Sequence, residues 1–309
     1  MDVIKHIARF GVPLMLAVWA SFAPAAAQNP LGERLIAATA HSGASPWDVS
    51  LASRMRLISA QTGTLPPAGE TALGAGIEIT LDDGWKTYWR NPGDTGIAPM
   101  FDFSRSVNVA SVDVAYPMPQ RFDLPGDISF GYKTRVVFPL AVTPQVPGLP
   151  VKLVADIVYG ACEELCIPVE ATTQLELATA NAGTTAFAAD IARWRGRVPA
   201  PHDAALARVE PIDDETGTSL HVTVQAGAPL TNPVLIAELT GGPARIWLGE
   251  PDTRIDGKSA VFVFPVKIRK GGPGLGDGAK LAFTFADMPD ETAGLPQWSQ
   301  HFDFHLAPQ

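Results

Sequence analysis

The chain has 309 residues, of which 46% are hydrophobic, and its formal net charge at pH 7 is −9. An acidic chain of this kind is a poor candidate for binding nucleic acid or an anionic membrane surface. Its 28 glycines and 28 prolines indicate many turns and not disorder, because the apolar fraction is large enough to build a core.

Residues 1–27 have the features of a secretory signal peptide. Lys5 and Arg9 precede an apolar run at 10–22, which ends in the small-residue segment 24–27. The run is short for a transmembrane helix, and the main alternative is an uncleaved membrane anchor. Cleavage would remove a net charge of +1 and change the total from −9 to −10. We therefore predict a soluble, exported protein in an oxidising compartment, with no transmembrane segment in the mature chain.

Short alternating segments separated by Pro/Gly turns follow a small-residue lead-in at 28–46. Apolar residues recur with period 2, the pattern of strands with one buried face, at 47–58, 71–81, 107–116, 134–142 and on both sides of residue 164. Short strands at roughly ten-residue spacing are typical of an antiparallel β-sandwich. The sequence therefore predicts a first β-sandwich over 47–180.

A single helix is predicted at 184–197. Phe187, Ile191 and Trp194 fall at i, i+4 and i+7, which places them on one helical face. Two prolines then end this pattern, and from about residue 220 six more alternating runs predict a second all-β domain. The predicted organisation is thus a helix and linker at 181–202, followed by a second β-sandwich at 203–309.

The chain contains two cysteines, Cys162 and Cys166, separated by Glu163-Glu164-Leu165. Alternating runs on both sides predict a β-hairpin in which the two cysteines face each other. Facing Cβ atoms lie roughly 4.5–5.5 Å apart, whereas a disulfide needs roughly 3.5–4.5 Å, so a small local twist closes the bond. The two sulfur atoms are therefore predicted to form a disulfide.

This disulfide has a structural and a redox interpretation. In exported proteins disulfides persist and commonly stabilise the fold. A loop this short contributes only about 2 kcal/mol by chain entropy, and the two strands are already joined by their hydrogen bonds. The position of the pair at a hairpin tip favours redox chemistry, and a purely structural bond remains the alternative.

Four segments together resemble the N-terminal periplasmic domain of the DsbD thiol:disulfide interchange family. They are the run Gly-Trp-Lys-Thr-Tyr-Trp-Arg-Asn-Pro-Gly-Asp at 84–94, the block at 116–122, Phe-Gly-Tyr at 130–132, and Cys-x3-Cys-Ile-Pro-Val from Cys162. They are most similar to the ScsB-like branch, which is linked to copper tolerance. The resemblance covers roughly 47–180 and implies an immunoglobulin-like sandwich without a cofactor. It also implies a periplasmic protein that passes electrons to thioredoxin-fold partners.

The resemblance assigns roles to residues. Cys166 is the attacking cysteine and Cys162 the resolving one. A cap loop that shields the pair is predicted at 127–132, with Phe130 or Tyr132 as the shielding aromatic; its residues are Asp127, Phe130, Gly131 and Tyr132.

This sequence departs from the family in two ways. The best-known member has five residues between its cysteines and this chain has three, so the loop geometry does not transfer in detail. Full-length members also carry a transmembrane and a thioredoxin-like domain. We therefore expect a separate membrane protein to donate the electrons.

Glu163 and Glu164 are predicted to tune the redox couple. Nearby carboxylates disfavour a thiolate and raise the pKa of the thiol. A less stable reduced form makes the couple more reducing, unlike the strong oxidant DsbA, and suits an electron donor. The alternative is a solvated turn whose charges are screened.

Three weaker candidates complete the sequence analysis. His301, Asp303 and His305 would share one face of a strand and form a candidate metal site, the alternative being the polar face of a terminal strand. The glycine-rich segment 271–278 matches neither nucleotide-binding pattern and is predicted to be a loop. An aromatic cluster is predicted to pack in the core, with a recognition surface as the alternative: Trp85, Tyr88 and Trp89.

Three functions therefore remain in view. The favoured one is thiol-disulfide exchange. The others are a non-catalytic binding module with a structural disulfide, and a periplasmic copper-handling protein that uses the two thiols or the C-terminal histidines.

Overall fold

A computed structural model describes most of the chain from residue 43 onward. The described ranges are 43–60, 72–93, 96–124, 127–177, 184–201, 207–214, 217–241, 246–268, 279–288 and 299–305. The predicted signal peptide, most of the lead-in and the glycine-rich segment 271–278 lie outside them. Within these ranges, no helix has the length and apolar character needed to cross a membrane.

The first half of the described chain forms two packed antiparallel sheets. Its strands are β1 (Asp48–Ser50), β2 (Ser53–Ser59), β3 (Leu73–Leu81), β4 (Lys86–Gly93), β5 (Met100–Asp102), β6 (Val109–Val114), β7 (Gln120–Leu124), β8 (Asp127–Lys133), β9 (Arg135–Pro144), β10 (Val151–Cys162) and β11 (Cys166–Leu177). One sheet has the order β1-β2-β3-β9-β6. The other has the order β11-β10-β4-β8-β7, with β5 also paired to β10.

The sequence alternation explains the core of this sandwich. Along β11, the residues at 169, 171, 173, 175 and 177 are buried while their neighbours are more exposed. Strands β3 and β9 are buried on both faces instead, because the helix α1 (Ala188–Arg195) covers their outer side. Gly76 allows this packing, since a Cβ there would lie 2.8 Å from Val137 Cγ1 and 3.5 Å from Ile191 Cγ1.

The helix confirms the predicted apolar face and is shorter than predicted at both ends. Ile191 and Trp194 are buried against the first sandwich, and Phe187 occupies the N-cap position. Arg135 joins the helix to the sheet, because its guanidinium pairs with both Glu78 and Asp190.

The second half forms another pair of sheets. Its strands are β12 (Ala200–Pro201), β13 (Ala207–Asp214), β14 (Gly217–Gln225), β15 (Pro233–Gly241), β16 (Ile246–Leu248), β17 (Asp252–Asp256), β18 (Ser259–Ile268), β19 (Lys280–Asp287) and β20 (Gln300–His305). The sheet orders are β12-β20-β19-β15 and β13-β14-β18-β16, with β17 also paired to β18. The core between them is rich in phenylalanine: Phe262, Phe264, Phe283 and Phe285.

The predicted all-β fold is confirmed: an immunoglobulin-like sandwich, one short helix and a second all-β unit. The hydrophobic cluster of the first sandwich continues into the second through Val234, Ile236, Ala286 and Met288. The second unit's sheet begins inside the predicted linker, because β12 pairs in parallel with β20.

The aromatic run that begins at Gly84 contains strand β4, in which Thr87, Tyr88 and Trp89 are all buried. One segment differs from the prediction. The predicted cap at 127–132 is not a loop: these residues form β8, which is paired on both sides, with β4 and with β7.

Candidate redox site

The cysteine pair lies at the tip of the longest hairpin of the first sandwich. Strands β10 and β11 pair over twelve consecutive residue pairs, and Cys162 and Cys166 are the last of them. Their Cα atoms are 4.2 Å apart and their sulfur atoms are bonded. The predicted hairpin register and the predicted disulfide are therefore both present.

The two sulfur-bearing residues differ in accessibility. Cys162 is buried, with 1% of its surface exposed, whereas Cys166 is exposed. Leu165, beside Cys166 in the loop, is 79% exposed and is the most exposed large apolar residue in the described chain. Since disulfide exchange requires direct attack on a sulfur atom, Cys166 is the accessible partner of the pair.

Tyr88 contacts the accessible cysteine from the neighbouring strand β4. Its hydroxyl oxygen lies 3.0 Å from Cys166 Sγ, and the residue is 2% exposed. Gly160 makes room for the ring, because a Cβ at that position would lie 3.1 Å from Tyr88 Cδ2 and 3.0 Å from Ile97 Cβ. Gly96 also contacts the Tyr88 ring, because a Cβ at that position would lie 2.6 Å from Tyr88 Cε1. Glycines at both positions thus allow the tyrosine to reach across β10 to the sulfur.

Lys86 is the Cα partner of Cys162 on β4, but its ammonium group lies toward the other neighbour of β4. Its Nζ donates a hydrogen bond to Ser129 Oγ of β8 at 3.2 Å and lies 5.0 Å from the ring centroid of Phe122 on β7. The Tyr88 hydroxyl is therefore the polar group that contacts the accessible sulfur. When the disulfide is reduced, a hydrogen bond from this hydroxyl can stabilise the attacking thiolate.

The two predicted tuning residues occupy the loop between the cysteines. Glu163 and Glu164 are exposed, and Glu163 extends over the turn at Gly84, where its Oε1 is 3.0 Å from the position of an added Cβ. Gly84 has a φ of +87°, a conformation that glycine adopts without strain. The carboxylates of the loop disfavour the thiolate, whereas the Tyr88 hydroxyl favours it.

Comparisons with known proteins bear on this site. Residues 59–178 match the family model described as "Thiol:disulfide interchange protein DsbD, N-terminal". The first sandwich is therefore similar to this N-terminal domain. Residues 197–291 match a second model, a domain of unknown function (DUF8393). No curated protein matches the chain.

The fold has a counterpart among solved structures. The crystal structure of the N-terminal periplasmic domain of ScsB from Proteus mirabilis superposes with a TM-score of 0.65 at 21% identity. The match covers 87% of this chain and 100% of that one. The resemblance to the DsbD N-terminal, ScsB-like group is thus confirmed, and the chain shares its fold with the ScsB domain through both sandwiches.

The predicted cap residues of the DsbD N-terminal domain point in different directions. Tyr132 is buried in the core, where its ring packs edge-on against Phe138 and its hydroxyl donates to the Pro117 carbonyl at 2.6 Å. Phe130 packs against the core and lines a cleft toward the second sandwich. Gly131 is the Cα partner of Tyr88, and Asp127 begins β8. Shielding of the disulfide by Phe130 or Tyr132 stays a prediction.

The C-terminal histidine site stays a prediction. His301 is half-buried, its Nδ1 lies 3.1 Å from Thr284 Oγ1, and its Nε2 lies 3.7 Å from an Asp303 oxygen. The side chain of His305 is outside the described residues. Among the described side chains, no group of three or more histidine, cysteine or acidic residues is arranged to hold a metal ion.

Sequence reasoning missed the contact between Tyr88 and Cys166. Trp89 and Tyr88 are both buried, as the core-packing interpretation predicted, and the Tyr88 hydroxyl also contacts Cys166 Sγ. The alternation within the strand was the available signal, because Tyr88 and Trp89 lie on opposite faces. The distance between Tyr88 and Cys166 could not be deduced from it.

Proposed function

We propose that the protein is an exported, periplasmic thiol-disulfide exchange protein, an oxidoreductase that passes electrons from Cys162 and Cys166 to thioredoxin-fold partners. The observation that carries this proposal is the asymmetry of the pair. One sulfur is exposed and contacts a tyrosine hydroxyl, and the other is buried directly behind it. Exchange chemistry needs these two positions, an accessible attacker and a resolving thiol within reach.

The proposed reaction balances as a two-electron transfer. The Cys166 thiolate attacks one sulfur of the partner's disulfide, that bond breaks, and the partner's second sulfur leaves as a thiolate that takes up a proton. The Cys162 thiolate then attacks Cys166 Sγ in the mixed disulfide, which releases the reduced partner and restores the Cys162–Cys166 bond. A separate membrane electron donor must reduce this bond for the next cycle.

Tyr88 has a defined part in this scheme. Its hydroxyl is placed to donate a hydrogen bond to the Cys166 thiolate, at the 3.0 Å separation seen in the oxidised protein. A hydrogen bond to the charged form of a group stabilises that form. The tyrosine therefore favours the attacking, thiolate state of Cys166.

The loop beside Cys166 supports docking of a protein partner. Leu165 projects from the hairpin tip with 79% of its surface exposed, next to the accessible sulfur. An exposed apolar side chain next to a reactive group suits contact with the apolar rim of a partner's active site, where its burial favours association. We propose that thioredoxin-fold proteins make this contact.

The function is tested by the reduction potential of the full-length protein and by trapping. We expect a potential between about −180 and −270 mV in glutathione and dithiothreitol buffers, the range of exchange proteins. A Cys162→Ala variant should trap a thioredoxin-fold protein on Cys166 from periplasmic extract. A potential well below about −300 mV with nothing trapped would instead indicate a structural disulfide in a binding module. Tight Cu(I) binding by the reduced protein, lost in a Cys162/Cys166 double variant, would indicate copper handling.

A further inference from the structure

One strand joins the redox site to the second sandwich. Along β4, Tyr88 contacts Cys166, and two residues later Arg90 contacts Glu238 on β15 of the second sandwich. Asn91, the next residue, donates its side-chain amide to the carbonyl of Ala237 at 3.3 Å. The tyrosine that contacts the reactive sulfur is therefore close in the chain to the main polar contacts between the two sandwiches.

The contact between Arg90 and Glu238 is a two-point ion pair. Arg90 Nε lies 3.0 Å from Glu238 Oε1, and Nη2 lies 2.7 Å from Oε2. The two side chains are 32% and 14% exposed, so the pair is partly shielded from water. The guanidinium also lies 4.5 Å from the Trp89 ring centroid. Bidentate geometry of this kind fixes orientation as well as adding binding energy.

The sheet itself holds this part of β4 weakly. The ladder between β4 and β10 contains one residue pair, Lys86 with Cys162. The ladder between β4 and β8 is interrupted between Tyr88 and Gly93. Cross-strand pairing is what normally fixes a strand's position, so the stretch after Tyr88 needs another anchor. The contacts of Arg90 and Asn91 with β15 supply one.

We propose that Arg90 and Glu238 are positioning residues of the redox site, and that one task of the second sandwich is to hold β4 so that the Tyr88 hydroxyl stays on Cys166. This inference rests on the proposed function through the role given to Tyr88. It assigns the second sandwich a part in the chemistry, although none of its described residues reaches the cysteines. The competing explanation is that the ion pair between Arg90 and Glu238 only holds the two sandwiches together.

A second ion pair at the same junction separates these explanations. Arg121 of β7 pairs with Glu250, which lies between β16 and β17 of the second sandwich. Strand β7 is the outer strand of its sheet and pairs with β8, not with β4. Loss of this pair would weaken docking without releasing β4 directly. A Glu250→Gln variant is therefore the matched control for Glu238→Gln.

The test uses the full-length protein in a Cys162→Ala background, where Cys166 is the single thiol. The rate at which iodoacetamide alkylates Cys166 is measured as a function of pH. The midpoint of this curve is the apparent pKa of the thiol, and a lower midpoint means a more stable thiolate. We expect Glu238→Gln to move the midpoint upward by about 0.5–1 pH unit, a three- to tenfold loss of thiolate at a given pH below the midpoint. Arg90→Lys, which keeps the charge and loses the two-point geometry, should give a smaller shift in the same direction.

A double-mutant cycle distinguishes positioning from loss of stability. Tyr88→Phe alone should raise the midpoint, and adding Glu238→Gln to it should cause no further shift, because both changes remove the same hydrogen bond. Glu250→Gln and Glu210→Gln, the latter from an exposed pair with Arg208 on β13, should leave the midpoint unchanged.

Three results would overturn the inference: a midpoint unaffected by Glu238→Gln, a shift that adds fully to that of Tyr88→Phe, or an equal shift with Glu250→Gln. Thermal unfolding of each variant shows that the alkylated protein is folded. The assay needs no protein partner, so it remains informative about positioning even if trapping and the reduction potential argue against the proposed function.

Discussion

The two sandwiches of this protein have similar architecture and different chemical content. Each packs two sheets, antiparallel except for the short β12–β20 pair, around an apolar core. The first extends a twelve-pair hairpin whose tip holds a disulfide in contact with a tyrosine hydroxyl. The second is built around four phenylalanines, and its described polar residues are engaged mainly in turns, strand pairs and the junction. The first sandwich therefore carries the candidate reactive site, whereas the second has a similar fold without such a site in its described residues.

The difference comes from where each sandwich interrupts its regular pattern. In the first, Gly160 within a long strand removes a side chain and opens a space that Tyr88 fills. In the second, the long strands β14 and β18 carry a side chain at every position where they pair, from Ser219 to Gln225. The reactive site thus depends on a local exception to close strand packing.

The largest expected effect is on the chemistry of the first sandwich. Cys166→Ser should reduce exchange with a thioredoxin-fold disulfide to background, because serine cannot form the mixed disulfide. The variant should still fold, since the short loop contributes only about 2 kcal/mol by the chain-entropy model. The rate of partner reduction and the circular dichroism spectrum together check this. Exchange by Cys166→Ser at the wild-type rate would assign the attack to another group.

The next effect in size concerns the stability of the second sandwich. Phe262→Ala should lower the free energy of unfolding by about 3–5 kcal/mol, because Phe262 is fully buried and its loss leaves a cavity. Ile255→Ala on the adjacent strand β17 is the control, since Ile255 is 47% exposed and should change stability by less than about 1 kcal/mol. Urea denaturation measures both. Equal losses would mean that the phenylalanine core does not carry this unit's stability.

A smaller effect is expected from the charges around the cysteines. Replacing Glu163 and Glu164 with Gln should make the couple more oxidising, by about 5–20 mV, because two exposed carboxylates no longer disfavour the thiolate. Equilibration with glutathione measures the shift. An unchanged or more reducing couple after the Glu changes would refute the tuning role.

The smallest expected effect is a pH dependence at the junction. Burial, reinforced by Arg90, lowers the pKa of His301 below its ordinary 6.5, and Asp303 and Glu238 only partly offset this. The folded protein therefore binds this proton less readily than the unfolded chain, and the contribution of neutral His301 to stability is lost as pH falls below about 6.5. His301→Gln should flatten the fall in melting temperature between about pH 7.5 and 5.5. A fall as steep as in the wild type would exclude His301 as its source.

Local sequence patterns predicted the fold because they are properties of short segments. Period-2 alternation predicted most strands, and the spacing of Phe187, Ile191 and Trp194 predicted the helix and its buried face. The same logic predicted that three loop residues would place Cys162 opposite Cys166. It failed at β8, where the family resemblance predicted a cap loop.

The sequence by itself determined the all-β fold, the hairpin and the disulfide at its tip, since each follows from residues that are neighbours in the chain. Only the tertiary structure decided which sulfur is accessible, that the Tyr88 hydroxyl lies on Cys166, and that Arg90 joins this strand to Glu238. These contacts span 78 and 148 residues of sequence. They depend on how strands pair and sheets pack across the whole molecule, and no short-range pattern encodes that arrangement.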